Sequence, residues 1–279
     1  MKSDARRNLT AALAVLALMG SACAAGGAGS SAALNVWPTG TTVNYVSTSA
    51  QGQIMDIPGM GEVPSNSSSS TEFAVEAVGE REFKVSVTDN SVTLDQPDPT
   101  GMMPDPSTLV GLEAMFSLNE RGEILETSGI AGNPWVEYQG GAEAYAEELR
   151  SFFQYLPEEP MRPGVTWTRD YGFTANQQGL ELGFEFADTY RCVEEIIFEG
   201  TRALKIESES EISLGGAGEQ MGTPIDFALS GTGDGTVIID AATGMLLSSE
   251  SKGSMSGGLS AQGMDIAMTM TMTSSIKVK

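Results

Sequence analysis

Four methionines near the end of the chain, Met264, Met268, Met270 and Met272, are separated by even numbers of residues. In a strand they share one face, with neighbours two apart about 6.8 Å from each other. Thioethers are soft ligands of the type Cu(I) accepts, and their unbranched stems also adapt to irregular apolar shapes. With no histidine in the chain and no cysteine nearby, no metal is assigned. The face is read as core or as the wall of an apolar-ligand site. The absence of histidine also excludes a serine triad of the usual kind, histidine-ligated zinc and imidazole general bases. Carboxylate, lysine and tyrosine chemistry remains, but 37 acidic residues place carboxylates near one another by chance. No motif points to catalysis, so the chain is read as a non-enzyme without a cofactor. Asp234, in Gly231-Thr232-Gly233-Asp234-Gly235, reads as a turn residue and lacks the ligand spacing of a calcium loop. Cys192 reads as a small buried apolar side chain.

The other thiol, Cys23, sits behind a leader. Lys2, Arg6 and Arg7 precede an apolar run from Leu9 to Met19, and Gly20, Ser21 and Ala22 lead to the cysteine. That run is too short for a membrane-crossing helix of about 20 residues and reads as the core of a signal peptide over 1–22. The arrangement resembles a bacterial lipoprotein leader, although Gly20 stands where leucine is usual. The resemblance implies acylation of Cys23, a membrane partner through that lipid and, with Ala24 following, the periplasmic side of the outer membrane or the cell surface. The alternative is cleavage at Ala22-Cys23-Ala24, which yields a soluble periplasmic or secreted protein. Residues 23–33, rich in Gly, Ala and Ser, read as a flexible tether. A formal net charge of −22 repels nucleic acid and anionic headgroups, so no nucleic-acid partner is expected.

The elements that must position any site are mostly strands. Phe73, Val75 and Ala77 alternate with polar residues, as do Phe83, Val85 and Val87, then Leu180, Leu182, Phe184 and Phe186, and finally Met264 to Val278. Period-2 alternation predicts strands with one buried and one solvated face. One stretch departs from it: Ala142, Tyr145, Ala146, Leu149, Phe152, Phe153 and Leu156 follow helical spacing, and Pro157 and Pro160 stop the helix. The expected fold is mainly β, a β-rich α+β arrangement of long curved antiparallel sheets with one amphipathic helix on the concave face. Two similar halves are expected, 34–139 and 161–279, joined by a helix and connector over 140–160. Each half opens with a Pro- and Gly-containing entry and later has a strand, turn, strand unit, around Gly122 and around Gly244. Gly61 to Ser70 and Asp95 to Ser107 read as loops.

Within this frame, Tyr145, Phe152 and Phe153 on the helix and Met268 and Met270 on the last strand are the candidate lining of a site for an apolar ligand. A structural or protein-interaction module of the envelope, with an envelope protein as partner, is the alternative. Pro38-Thr39-Gly40, Leu156-Pro157 running to Trp167, Tyr190-Arg191-Cys192 and the hairpin at Gly244 resemble an uncharacterised family of secreted bacterial proteins of unknown function. A long curved sheet around a helix is also similar in architecture to the lipoprotein carriers, the periplasmic lipoprotein chaperone and its outer-membrane acceptor. Neither resemblance implies a catalytic residue.

Overall fold

Alternation turns into strands wherever it was legible, and into longer ones than the pattern suggests. A computed structural model describes residues 35–95, 103–177, 180–220, 223–261 and 263–279. Its strands are β1 (Thr42–Ile57), β2 (Gly61–Gly79), β3 (Glu82–Leu94), β4 (Glu113–Leu118), β5 (Ile124–Ser128), β6 (Thr166–Gln177), β7 (Leu180–Phe198), β8 (Thr201–Gln220), β9 (Thr223–Asp240), β10 (Leu246–Ala261) and β11 (Met264–Val278). They form a single antiparallel sheet in the order β5-β4-β3-β2-β1-β11-β10-β9-β8-β7-β6. Two meanders of sequential hairpins therefore meet where β1 pairs with β11, Tyr45 opposite Val278 and Met55 opposite Met268. The sheet is curved, and β5 and β6 at its two edges do not pair with each other, so it is not closed into a barrel.

The connector from β5 to β6 must travel from one edge of the sheet to the other, and it does so across the concave face. It contains α1 (Pro134–Tyr138), which the sequence pattern did not suggest, and α2 (Ala142–Leu149). Asn133 caps α1 by accepting bonds from the backbone N–H groups of Trp135 and Val136. The amphipathic helix is shorter than its spacing predicts. After Leu149 the chain tightens into a 3₁₀ turn over Arg150–Phe152, and Phe153 is extended. That change of geometry sends Phe152 and Phe153 to different parts of the sheet. The Phe152 ring lies 5.1 Å from Tyr45 and 4.9 Å from Phe73. The Phe153 ring lies 4.5 Å from Phe83 and 6.0 Å from Phe116.

Two other expectations are corrected. Gly61 to Ser70 is not a loop but the first half of β2, paired with β1 from Gly61 opposite Ile57 to Ser70 opposite Thr48. Serines are poor apolar markers, yet here they sit between two strands, and the Ser49 and Ser69 hydroxyls bond across at 2.8 Å. Likewise Gly231 to Gly235 is no turn but mid-strand in β9, where Asp234 points outward to Lys252. Glycine is required there by close approach: a Cβ on Gly231 would stand 1.9 Å from the Ser254 carbonyl oxygen and 2.8 Å from Met255 Cγ. In the Asp95 to Ser107 segment, residues 96–102 lie outside the described residues, and Pro106–Leu109 form a 3₁₀ turn. The turns at Gly122 and Gly244 both need positive φ, at 81° and 73°.

Inward-facing residues, followed from strand to strand, form rows across the sheet. Near the connector the rows are aromatic and aliphatic, including Tyr45, Phe73, Val85, Ile206, Val237 and Ile239, and pack on Phe152, Phe153 and Leu149. The next row changes character to Ser69, Ser49, Ser274, Ser251, Gly235 and Ser208. Beyond it run Gln51, Met272, Gly253, Gly233, Ser210, Asp188 and Arg169. Farther still the rows are apolar again, and this second cluster contains Met55, Met255, Met268, Met270, Leu214, Leu229 and Phe184. The concave face is thus two apolar zones separated by a polar belt.

Candidate binding site

The five apolar residues expected to line one site fall into two zones. Tyr145, Phe152 and Phe153 belong to the first cluster, at 1%, 1% and 2% exposure, with the phenylalanine rings occupied by the sheet aromatics. Met268 and Met270 belong to the second. The structure does not bring the two groups together. Cys23, the leader and the tether to residue 33 lie outside the described residues.

What the methionines do form is a buried cluster of their own. Met268 stands opposite Met55, and Met270 stands between Gln53 on β1 and Met255 on β10. Directly opposed side chains on one face have Cβ atoms about 4.5–5.5 Å apart, so these thioethers pack side by side. Gln53 Nε2 donates to the Met268 sulfur at 2.9 Å. Inward glycines make room: Met272 Cε lies 3.7 Å from where a Cβ of Gly253 would be. Ala144 is the connector's contribution to this cluster among the described residues; the rest comes from the sheet. The first zone is therefore plugged by the connector, and the second is built from strands with Ala144 as its contact with the connector.

The belt between the zones holds charges on the inward face, against the rule that such positions are apolar. Arg150 is buried at 3% exposure and its Nε donates to Glu147 Oε2 at 2.6 Å. Its Cζ lies 4.9 Å from the centroid of the Tyr171 ring, and Arg169 Cζ lies 4.2 Å from the same centroid and 5.0 Å from that of Tyr155. Two guanidinium groups thus share one tyrosine ring, an attractive arrangement for each with the ring and a repulsive one between them. Burial first, and then the charge of Arg150, lower the pKa of Arg169. Across the register Asp188 is 1% exposed and accepts a hydrogen bond from the Tyr190 hydroxyl. Burial raises its carboxyl above the usual range, against hydrogen bonds from Ser210 and Tyr190 and the two arginines. Arg169 Nη1 and the Tyr171 hydroxyl are buried without hydrogen-bond partners.

A second polar feature lies under α2. Glu148 Oε2 is enclosed and has no hydrogen-bond partner, beside a hollow of about 10 Å³ lined by Ser47, Ser49, Ser69, Thr71, Ser151 and Ser274. That is about the room one water molecule needs. Several of these hydroxyls already bond elsewhere, Ser49 with Ser69, Thr71 with Asn90 and Ser274 with Ser251. Loss of water without replacement pushes the Glu148 carboxyl up to about 7.

Sequence reading passed over Arg150, Arg169, Tyr171, Asp188 and Glu148. For three of them a signal was present. Arg169 is in phase with Trp167 and Phe173 along β6, and Asp188 with Phe184, Phe186 and Tyr190 along β7, so a charge stands where alternation places an apolar residue. Glu148 lies next to Leu149, at the border of the helix's apolar stripe.

The chain resembles several known proteins at a distance. No curated protein matches it. Among solved structures, lipovitellin, described by its lipid–protein interactions, aligns at 10% identity with a TM-score of 0.48. The alignment covers 87% of this chain but 25% of lipovitellin, so the chain spans a quarter of that protein's length. Neisserial surface protein A aligns at 7% identity and a TM-score of 0.23, covering 85% of this chain and 98% of its own. An outer membrane channel from Pseudomonas putida F1 aligns at 9% identity and 0.24, covering 88% and 97%. Residues 136–246, from α1 to the start of β10, match the model of a family of unknown function, DUF6263.

Proposed function

We propose that the protein is an exported, non-catalytic module of the cell envelope that binds an apolar chain in the methionine-lined compartment, held to a membrane by a lipid on Cys23. The observation that carries the binding reading is the second apolar zone, which is built from sheet side chains with Ala144 as its contact with the connector. Five of its residues, Met55, Met255, Met268, Met270 and Met272, are methionines. They can change rotamer at low cost and so fit chains of different shape. The sheet ends in two unpaired edges, so its walls can part without breaking a closed barrel.

An environment-sensitive apolar dye tests the reading. Its fluorescence is expected to rise on mixing with the purified protein, to fall when a long-chain alcohol displaces it, and to be abolished by Met270→Asp with the fold intact by circular dichroism. No response from the wild type sinks the reading. A protein-interaction module is the second reading, favoured by the dense filling of the first zone by Phe152 and Phe153. It predicts crosslinked envelope partners in cells and no dye response. For the anchor, a clickable palmitate analogue is expected to label the wild type and not Cys23→Ser; equal labelling of both removes Cys23 as the attachment point.

A further inference from the structure

We propose that the polar belt beside β6 is an anion site, in which Arg169, with Arg150 and Tyr171, receives the carboxylate or phosphate head of an amphiphile whose chain enters the methionine-lined compartment. The inference deepens the apolar-chain reading and rests on it for the chain, not for the head.

The first ground is charge. In a chain of net −22, an inward-facing arginine has carboxylates to choose from, yet Arg169 has no ion-pair partner among the described residues. Arg150 is paired with Glu147. Asp188, opposite Arg169 in the register, accepts from the Tyr190 hydroxyl through Oδ2, and its enclosed Oδ1 has no hydrogen-bond partner, so this carboxylate attracts Arg169 without bonding it. Partly removing an arginine from water with no carboxylate bonded to it is costly, and placing it near a second guanidinium on the same tyrosine ring adds to the cost. An anion bonded to both guanidinium groups reduces both penalties, against repulsion from Asp188 and Glu147.

The second ground is donor geometry. Arg169 Nη1 and the Tyr171 hydroxyl are both buried and both lack partners, and the two groups are in contact, Arg169 Cζ lying 4.2 Å from the Tyr171 centroid. A carboxylate or phosphate oxygen can accept from both, as charge-assisted bonds. The third ground is position. β6 is an edge strand, so this end of the belt lies at the unpaired edge of the sheet. Along its inward face Arg169 and Tyr171 are followed by Phe173, whose ring stacks on Phe184 of the compartment at 4.6 Å. From Arg169 to Phe173 is about 13 Å along a strand, so a head bound at the first leads its chain directly into the second.

Isothermal titration of the purified protein with laurate, dodecanol and inorganic phosphate separates head from chain. Wild type is expected to bind laurate about tenfold or more tightly than dodecanol, a factor that one charge-assisted hydrogen bond supplies. Arg169→Gln is expected to remove that difference while leaving dodecanol binding unchanged. Tyr171→Phe keeps the ring under both arginines and is expected to weaken laurate less, in the same direction; it carries the test if Arg169→Gln fails to fold by its melting curve. Arg162→Gln, an exposed arginine paired with Glu159, serves as the charge control and is expected to change nothing. Equal binding of laurate and dodecanol to the wild type overturns the anion site and leaves the compartment standing. Laurate binding unaffected by Arg169→Gln and Tyr171→Phe also overturns it. Phosphate binding that depends on Arg169, with neither chain bound, supports the anion site for a free anion and overturns the compartment. No binding by any of the three overturns both.

Discussion

Replacing Glu148 by glutamine should make the protein more stable at alkaline pH, and the size of the effect follows from its surroundings. Glu148 as a residue is partly exposed, but its Oε2 is enclosed between α2 and the hydroxyl-lined hollow of β1, β2 and β11, without a hydrogen-bond partner. Desolvation raises its carboxyl from 4.5 to about 7. Because the folded state holds the proton more tightly than the unfolded chain, the stabilising contribution is complete below pH 4.5 and is lost as pH rises through about 7. The gap corresponds to a ceiling of about 3 kcal/mol, and partial exposure brings the expected loss nearer 2 kcal/mol. Glutamine keeps the shape and cannot ionise. Urea denaturation from pH 4 to pH 9 reads the effect: the wild type should weaken between about pH 5 and 8, and Glu148→Gln should flatten that fall by about 2 kcal/mol. Asp188 is shifted in the same direction, so a residual slope should survive in Glu148→Gln and shrink further with Asp188→Asn. Parallel curves for wild type and Glu148→Gln would refute the argument that this carboxyl is buried without compensation.

Other substitutions probe the plug and the turns. Phe153→Ala removes a fully buried ring in contact with Phe83, Phe116 and Trp37 and is expected to cost about 3–5 kcal/mol by denaturant titration. Gly122→Ala forces a Cβ to within 2.0 Å of the Gln154 carbonyl oxygen at φ +81° and should cost more than about 3 kcal/mol. Gly132→Ala, with φ +82° and nothing within 4 Å, should cost about 1 kcal/mol in the same assay. Lys252→Ala breaks an exposed pair with Asp234 and is expected to shift stability by less than about 0.5 kcal/mol.

Local periodicity explains why much of this fold can be read from the chain. The face of β11 from Ile266 to Ile276 was legible because each buried side chain is two residues from the next. Failures came where local chemistry and tertiary context disagree. The serines of β2 and the glycines of β9 carry turn-like composition, yet they are inserted between paired strands, where hydroxyl bonds and close backbone approach decide the outcome. The β1–β11 pairing joins residues more than 200 positions apart, for which no local pattern exists. That pairing places the row of serines across the sheet and thereby divides the candidate lining residues. Helical spacing put Phe152 and Phe153 on a surface shared with the methionines, but the 3₁₀ turn and the belt keep them apart. Arg169 and Asp188 were visible as breaks in alternation, whereas the approach of Arg150 to the Tyr171 ring beside them required the connector's path.

Native mass spectrometry of protein released gently from cells tests the central claim, that the methionine-lined compartment holds an apolar chain. The account predicts a bound acyl-chain amphiphile that is retained in Phe152→Leu, a change in the zone plugged by the connector, and lost in Met270→Asp, a change among the methionines. Mass spectra showing only the bare chain, together with no uptake of added laurate or dodecanol, would contradict it.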